Sequence, residues 1–174
     1  MKPNDNWVNV PMPEAIARRP KTSQGLPVPF INHVYGNGEA DLRILDPQKV
    51  ERCVNERLCA ICGEKIGSVV VFIGGPTCLS NRLFADPGMH EECARYASLV
   101  CPFLAIQNVT YARDHEPRYK DRGVVFVSNP LAPPGGEKRP EKMFLYFTNG
   151  YGWVLKTGGI RLIRAYSHHK LEWF

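Results

Sequence analysis

Two pairs of side chains that can bind a metal ion lie in the middle of this 174-residue chain. Cys59 and Cys62 stand in the sequence Cys-Ala-Ile-Cys-Gly, where both thiolates can face one ion and Gly63 lets the backbone turn beneath it. His90 and Cys93 follow later in the chain. Three thiolates and an imidazole suit Zn²⁺, so the pattern predicts one Zn²⁺ per chain held by these four residues.

A predicted helix over 90–100 positions the second ligand pair. It has an apolar stripe that includes Cys93, and Pro102 ends it. His90 and Cys93 are three residues apart in its first turn and therefore share a face, where the positive end of the helix dipole favours thiolate. A cysteine knuckle, a β-hairpin and a ligand pair at a helix start follow in the order of a treble-clef zinc finger, which this stretch resembles.

The predicted metal is structural rather than catalytic. Four protein ligands complete a tetrahedral zinc shell and leave no position for a water molecule or a substrate. Three thiolates and a neutral imidazole around Zn²⁺ carry a net charge of about −1, which Arg57, Lys65 and Arg95 can offset. Such an ion contributes on the order of 10 kcal/mol to folding.

The remaining three cysteines have other predicted roles. Cys78 lies in a predicted loop and is the alternative zinc ligand if His90 is free; a reactive thiol is a second interpretation of it. Cys101 lies roughly 12 Å beyond Cys93 along the same predicted helix, at about 1.5 Å per residue, and is expected in the core. Cys53 falls on the apolar stripe of an earlier predicted helix and is also expected in the core.

The elements before the knuckle are predicted from turn and capping residues. Residues 1–29 contain six prolines and are predicted to form an extended arm. Strands over 30–35 and 40–45 flank Gly-Asn-Gly, which is a strong hairpin signal. Asp46 before Pro47 is typical of a helix start, and apolar spacing extends that helix to about Arg57.

Strand-forming segments dominate the last third of the chain. Four strands are predicted, separated by turns or by a Pro- and Gly-rich loop over 129–142, and they cover 124–127, 143–148, 153–156 and 160–163. The last three are expected to form an antiparallel meander. The predicted class is therefore α+β, with a treble-clef-like finger, small antiparallel sheets and two short helices. The expected units are the arm (1–29), a zinc-binding core (30–110) and a β-meander extension packed on it (111–174).

Composition narrows the function classes. Hydrophobic residues make up 44% and charged residues 22% of the chain, which is ordinary globular usage. There is no apolar run of membrane-span length, no signal-peptide core and no small-molecule cofactor motif, so we expect a cytoplasmic protein. A reducing compartment favours cysteines as metal ligands over disulfides. A net charge of +5 permits contact with nucleic acid or an acidic protein.

One stretch resembles a known family. Residues 26–104 resemble a group of uncharacterised proteins of tailed phages, prophages and bacteria, which share C-x-x-C-G, G-P-x-C-x-x-N-R, H-x-x-C-A and C-P-F-L motifs. The residues that carry this resemblance are Cys59, Cys62, Gly63, Gly75, Pro76, Cys78, Asn81, Arg82, Pro87, His90, Cys93, Ala94, Cys101, Pro102, Phe103 and Leu104. The resemblance implies a phage or prophage setting and brings no established activity with it.

The first functional hypothesis is a non-enzymatic binding protein, acting as a phage accessory or host-modulating factor. A basic cluster interleaved with Tyr111 and Tyr119 is its candidate nucleic-acid contact, because it combines phosphate binding with base stacking. That cluster is Arg113, Arg118, Lys120 and Arg122. A solvated loop explains the same charges, and a protein partner is an equal alternative.

Two other hypotheses remain at this point. A nuclease of the His-metal-finger type needs a histidine general base, and the sequence has no histidine between Cys62 and His90. That hypothesis requires His90 as the base, Cys78 in its place on zinc, and Asn81 or Asp86 at a second metal. The third hypothesis is a structural or virion-associated protein.

Overall fold

A computed structural model of the chain describes residues 7–105, 140–155 and 161–174. A single 3₁₀ turn, Trp7–Asn9, precedes the first helix. The helices are α1 (Glu14–Ala17), α2 (Pro47–Glu56), α3 (Pro76–Asn81), α4 (Glu91–Val100) and α5 (Pro102–Ala105). The strands are β1 (Asn32–Val34), β2 (Ala40–Leu45), β3 (Val70–Gly74), β4 (Leu83–Phe84), β5 (Phe144–Thr148), β6 (Tyr151–Leu155), β7 (Arg161–Ala165) and β8 (His168–Trp173). The predicted α+β class is confirmed.

The described strands form three small antiparallel sheets. β1 pairs with β2, a second sheet has the order β3-β5-β8, and a third has the order β4-β7-β6. The register pairs Val71 with Phe147 in the second sheet and Trp153 with Ile163 in the third. Small antiparallel sheets were predicted, and this part of the prediction is confirmed.

The first hairpin and the helix after it form as predicted. Gly38 takes a positive φ of 83° in the turn, a conformation that glycine adopts without steric cost. The Asp46 carboxylate accepts hydrogen bonds from the backbone N–H groups of Gln48 and Lys49 and so caps α2. Arg57 ends α2 in the left-handed region, close to the predicted boundary.

The predicted meander is correct for β6 and β7 and wrong for β5. β6 and β7 pair directly, whereas β5 pairs with β3 on one side and β8 on the other. All five residues of β5 are buried, as in a central strand that is covered on both faces. The chain therefore crosses from one sheet to the other at Asn149 and Gly150 instead of turning back. The strand predicted over 124–127 and the loop over 129–139 lie outside the described residues.

The β-hairpin expected between the two ligand pairs is replaced by a longer path. Pro76 begins α3 where a turn was predicted, and the next strand, β4, belongs to the other sheet. A single antiparallel bridge joins Val71 to Met89, with mutual N–H···O distances of 2.9 and 2.8 Å. This bridge brings the residue before His90 back to β3.

Apolar side chains from most elements share one core. Phe72, Phe84 and Tyr146 are among its largest fully buried residues, and Tyr151 packs edge-on against Phe72. The described part of the Pro-rich arm also packs on the protein, because Ile16 is fully buried and α1 forms there. No helix in the described ranges has both the length and the hydropathy of a membrane span.

Gly88 should be intolerant of a side chain because it lies between β3 and the cysteine knuckle. A Cβ there would stand 2.2 Å from Val70 Cγ1 and 3.3 Å from Tyr151 Cε1. We expect Gly88→Ala to destabilise the protein by about 1–3 kcal/mol through overpacking. Thermal unfolding with excess zinc measures the effect. Gly67→Ala is the matched control, because a Cβ at Gly67 meets nothing within 4 Å. Equal melting temperatures for the two variants would contradict this packing.

Candidate metal centre

The first ligand pair lies in a tight turn of the backbone. The N–H of Gly63 donates to the carbonyl of Cys59 at 2.9 Å, and Gly63 adopts a positive φ of 83°. A Cβ at Gly63 would stand 2.6 Å from Cδ2 of Phe30, so the ring lies directly on the turn. An antiparallel bridge between Leu58 and Lys65 closes the turn at its base. The predicted knuckle is therefore present, and glycine is required for both its conformation and its packing.

The second ligand pair lies at the start of α4. His90 is the N-cap residue of this helix, with extended backbone angles, and Cys93 is in the first turn. The Nε2 atom of His90 lies 3.0 Å from the carbonyl oxygen of Lys65. A carbonyl can only accept, so Nε2 carries the proton and Nδ1 presents its lone pair. This second contact of the ring fixes the tautomer in the way typical of metal-binding histidines.

The four candidate ligands converge on one point. The ligand atoms of Cys59, Cys62, His90 and Cys93 all lie within 4.8 Å of one another. His90 Nδ1 is 3.4 Å from Cys62 Sγ and 4.0 Å from Cys93 Sγ. Adjacent sulfurs in a tetrahedral zinc site are about 3.8 Å apart, given Zn–S bonds of about 2.3 Å. The cluster therefore has the size and the donor atoms of a Cys₃His zinc site.

Backbone groups around the cluster favour thiolate. The N–H of His90 points at Cys59 Sγ from 3.4 Å, and the N–H of Glu64 points at Cys62 Sγ from 3.5 Å. Hydrogen bonds from the thiols of Cys62 and Cys93 lower the pKa of Cys59 to about 3. The pKa of Cys93 is raised, because it donates hydrogen bonds to Cys59 and Cys62 and because neighbouring thiolates repel. A divalent cation removes that conflict by allowing all three sulfurs to ionise.

Little of the cluster is open to solvent. Cys59 and Cys93 are completely buried, Cys62 is 7% exposed, and His90 is half-buried. Four protein donors in such a setting leave no open coordination position, which is the property of structural zinc sites. The donor set, the fixed tautomer and the amide-to-sulfur contacts all fit a resident Zn²⁺.

The expected cations Arg57 and Arg95 have other partners, whereas Arg18 of the arm contacts the knuckle. The Arg18 guanidinium donates to the Glu64 carboxylate at 2.5 Å, and this hydrogen bond raises the pKa of Arg18. Burial lowers the pKa of Arg19. Arg95 instead pairs with Glu91 and Glu172, both at 2.7 Å. Arg57 donates to the carbonyl of Gly67 at 2.9 Å. The Pro-rich arm therefore reaches the knuckle through the ion pair between Arg18 and Glu64.

Phe30 connects this arm to the knuckle. Its backbone N–H donates to the carbonyl of Ile61 at 2.8 Å, while its ring covers Gly63. The charged groups of Arg19, Lys49 and Arg52 lie 5.5, 5.9 and 5.7 Å from its ring centroid, within cation–π range. From the sequence, Phe30 could be placed only in the first predicted strand. Its contact with Gly63 is tertiary, so local sequence patterns do not predict it.

The other cysteines lie outside the cluster. Cys78 is on α3, where its Sγ would be 3.1 Å from a Cβ placed on Gly74, and it is not among the four grouped ligands. Burial raises its pKa, which opposes a reactive thiolate. Cys53 is completely buried on α2, as expected, and burial raises its pKa to about 12. Cys101, predicted to be buried, is half-buried at the end of α4.

Of the residues that the nuclease hypothesis requires, only His90 belongs to the cluster. Asn81 ends α3, and its side-chain oxygen accepts from the N–H of Leu83 at 2.8 Å. Asp86 follows β4 and is exposed. Neither belongs to the group of metal-binding side chains found among residues 7–105, 140–155 and 161–174. The candidate nucleic-acid residues Arg113, Arg118, Lys120 and Arg122 lie outside the described residues.

Comparisons with known proteins do not assign this chain to a family. A scan against protein-family models, a search of curated proteins and a search of solved structures each find no significant match to this chain.

Zinc content should follow the four ligands and no other cysteine. We expect about one zinc per purified chain, with Cys59→Ser, Cys62→Ser and Cys93→Ser each losing the metal and the cooperative fold, because an incomplete shell forfeits binding energy on the order of 10 kcal/mol. Cys78→Ser should keep both. Elemental analysis and thermal unfolding provide the two readouts. Loss of zinc in Cys78→Ser would make it a ligand and contradict the assignment.

Proposed function

We propose that this chain is a non-enzymatic binding protein in which one structural Zn²⁺ fixes the surface presented to a macromolecular partner. The zinc would be held by the Cys₃His cluster defined above. Its chemistry there is to neutralise three thiolates and to cross-link the knuckle to the start of α4. The protein residues alone then determine what the surface binds.

The observation that carries this proposal is that both ring nitrogens of His90 are engaged. Nδ1 faces the thiols of Cys62 and Cys93, and Nε2–H donates to the carbonyl of Lys65. A general base needs a free lone pair within reach of its substrate. In this arrangement the lone pair on Nδ1 points into a buried cluster, where a metal ion can take it and a substrate cannot.

The same proposal includes a treble-clef arrangement of the ligands and a phage accessory role. The knuckle, the Val71–Met89 bridge and the ligand pair at α4 follow in the order of a treble clef, with α3 and β4 inserted before the bridge. A treble-clef relationship is therefore proposed for the ligand arrangement. The motif resemblance of residues 26–104 supports a phage or prophage accessory role, with a host or phage protein or a nucleic acid as the partner.

The structural role of His90 can be separated from a catalytic one by two substitutions. His90→Ala should lose zinc and stability because it removes one ligand, whereas His90→Cys should largely restore both by supplying a sulfur near the ion. Zinc content and thermal unfolding are measured for each variant. Plasmid nicking with added Mg²⁺ is assayed in parallel, and the wild type is expected to show none above a reagent blank.

The contrary result is equally specific. Retention of zinc and fold in His90→Ala, together with Mg²⁺-dependent nicking by the wild type that this variant lacks, would replace the binding proposal with the nuclease hypothesis. Gln48→Ala is the surface control, because the Gln48 side chain is exposed on α2 and only its backbone N–H takes part in the Asp46 cap.

A further inference from the structure

An exposed aromatic ring is held in a fixed position where β7 leaves its sheet. Tyr166 is 61% exposed, although its backbone is well bound: its N–H donates to Gly150 at 2.9 Å and its carbonyl accepts from the Tyr146 hydroxyl at 2.7 Å. The ring rests on Gly150, where a Cβ would stand 2.7 Å from Cδ2 and Cε2. The ring is therefore exposed to solvent while hydrogen bonds fix its backbone.

The strand register places the Arg164 side chain and the open space at Gly152 on the same face as this ring. Arg164 precedes Tyr166 by two positions, so both side chains lie on the same side of the chain, and both are exposed. Arg164 is directly opposite Gly152 on β6. A Cβ at Gly152 would meet no atom within 4 Å, so there is open space above the strand next to the Arg164 side chain.

The cations around Tyr166 lack acidic partners. Within the described ranges, neither Arg82 nor Arg164 forms an ion pair, and the Arg82 guanidinium donates to Ser167 Oγ at 3.4 Å. His168 is exposed, with its ring 5.0 Å from that of Tyr146. The sequence contains no Asp or Glu from Met143 to Lys170. This patch is therefore positive where much of the remaining surface has paired charges.

We infer that Arg82, Gly152, Arg164, Tyr166 and His168, the Tyr166 surface, bind single-stranded nucleic acid. Guanidinium groups without carboxylate partners suit phosphate oxygens, and an exposed tyrosine ring suits the face of an unpaired base. The absence of a side chain at Gly152 leaves room for the bound nucleic acid to approach the sheet. Stacking needs an unpaired base, which favours a single strand over a duplex. This inference rests on the proposed binding function and names its partner class.

The test is fluorescence anisotropy with zinc-loaded full-length protein and short labelled oligo-thymidine, oligo-uridine and duplex DNA. The single strands should bind more tightly than the duplex, and added salt should weaken them. Tyr166→Ala and Arg164→Ala should each weaken binding on the order of tenfold, whereas Tyr166→Phe should retain the wild-type affinity because it keeps the stacking ring. Gly152→Glu should abolish binding, because it places a negatively charged side chain in the open space beside Arg164.

Controls separate this inference from the zinc proposal. Lys142→Ala removes an exposed cation before β5, at the opposite end of that strand from Gly150, so it should not change affinity. Zinc content and melting temperature are measured for each variant and should match the wild type. Loss of the zinc site is therefore detected separately from loss of oligonucleotide binding. Absence of oligonucleotide binding, equal or tighter binding of the duplex, wild-type affinity in Tyr166→Ala, or displacement by an equal charge of poly-glutamate would each overturn the inference.

Discussion

Convergence of the knuckle and the start of α4 on one point is the constraint on which the ligand region depends. Backbone N–H groups of both segments take part in that convergence. The N–H of Ala60 donates to the carbonyl of Gly88 at 3.0 Å, and the N–H of His90 points at the Cys59 sulfur. Without a cation, ionising more than one of these buried thiols would be costly, because thiolates that share a small volume repel. A tetrahedral Zn²⁺ converts that repulsion into a cross-link between segments distant in sequence.

Other parts of the protein meet the cross-link through packing. α4 lies against β3, and the Val71–Met89 bridge connects that strand to the residue before His90. Phe30 covers the knuckle at Gly63, and Arg19 of the Pro-rich arm lies 5.5 Å from the centroid of its ring. The hydroxyl of Tyr151 donates to the carbonyl of Cys53 at 3.0 Å and ties β6 to α2. The candidate ligands, the arm and both larger sheets therefore share one core.

Local signals predicted the elements that local interactions form. The Asp46–Pro47 cap, the Gly-Asn-Gly turn and the ligand spacing each act within a few residues, and the sequence was sufficient to place α2, the first hairpin and the cluster. Sheet membership was missed because it depends on distant partners. β5 pairs with β3, which is distant in sequence, and nothing near Asn149 distinguishes a hairpin turn from a crossover. The roles of Phe30 and Arg19 at the site are likewise tertiary.

X-ray absorption at the zinc edge tests the Cys₃His assignment, because it reports the ligands of the ion in the folded protein. The account predicts a tetrahedral shell of three sulfurs at about 2.3 Å and one nitrogen at about 2.0–2.1 Å, with the outer-shell scattering of one imidazole. The shell should be unchanged in Cys78→Ser. A shell with an oxygen from water, four sulfurs without imidazole, or a folded protein that contains no zinc would contradict it.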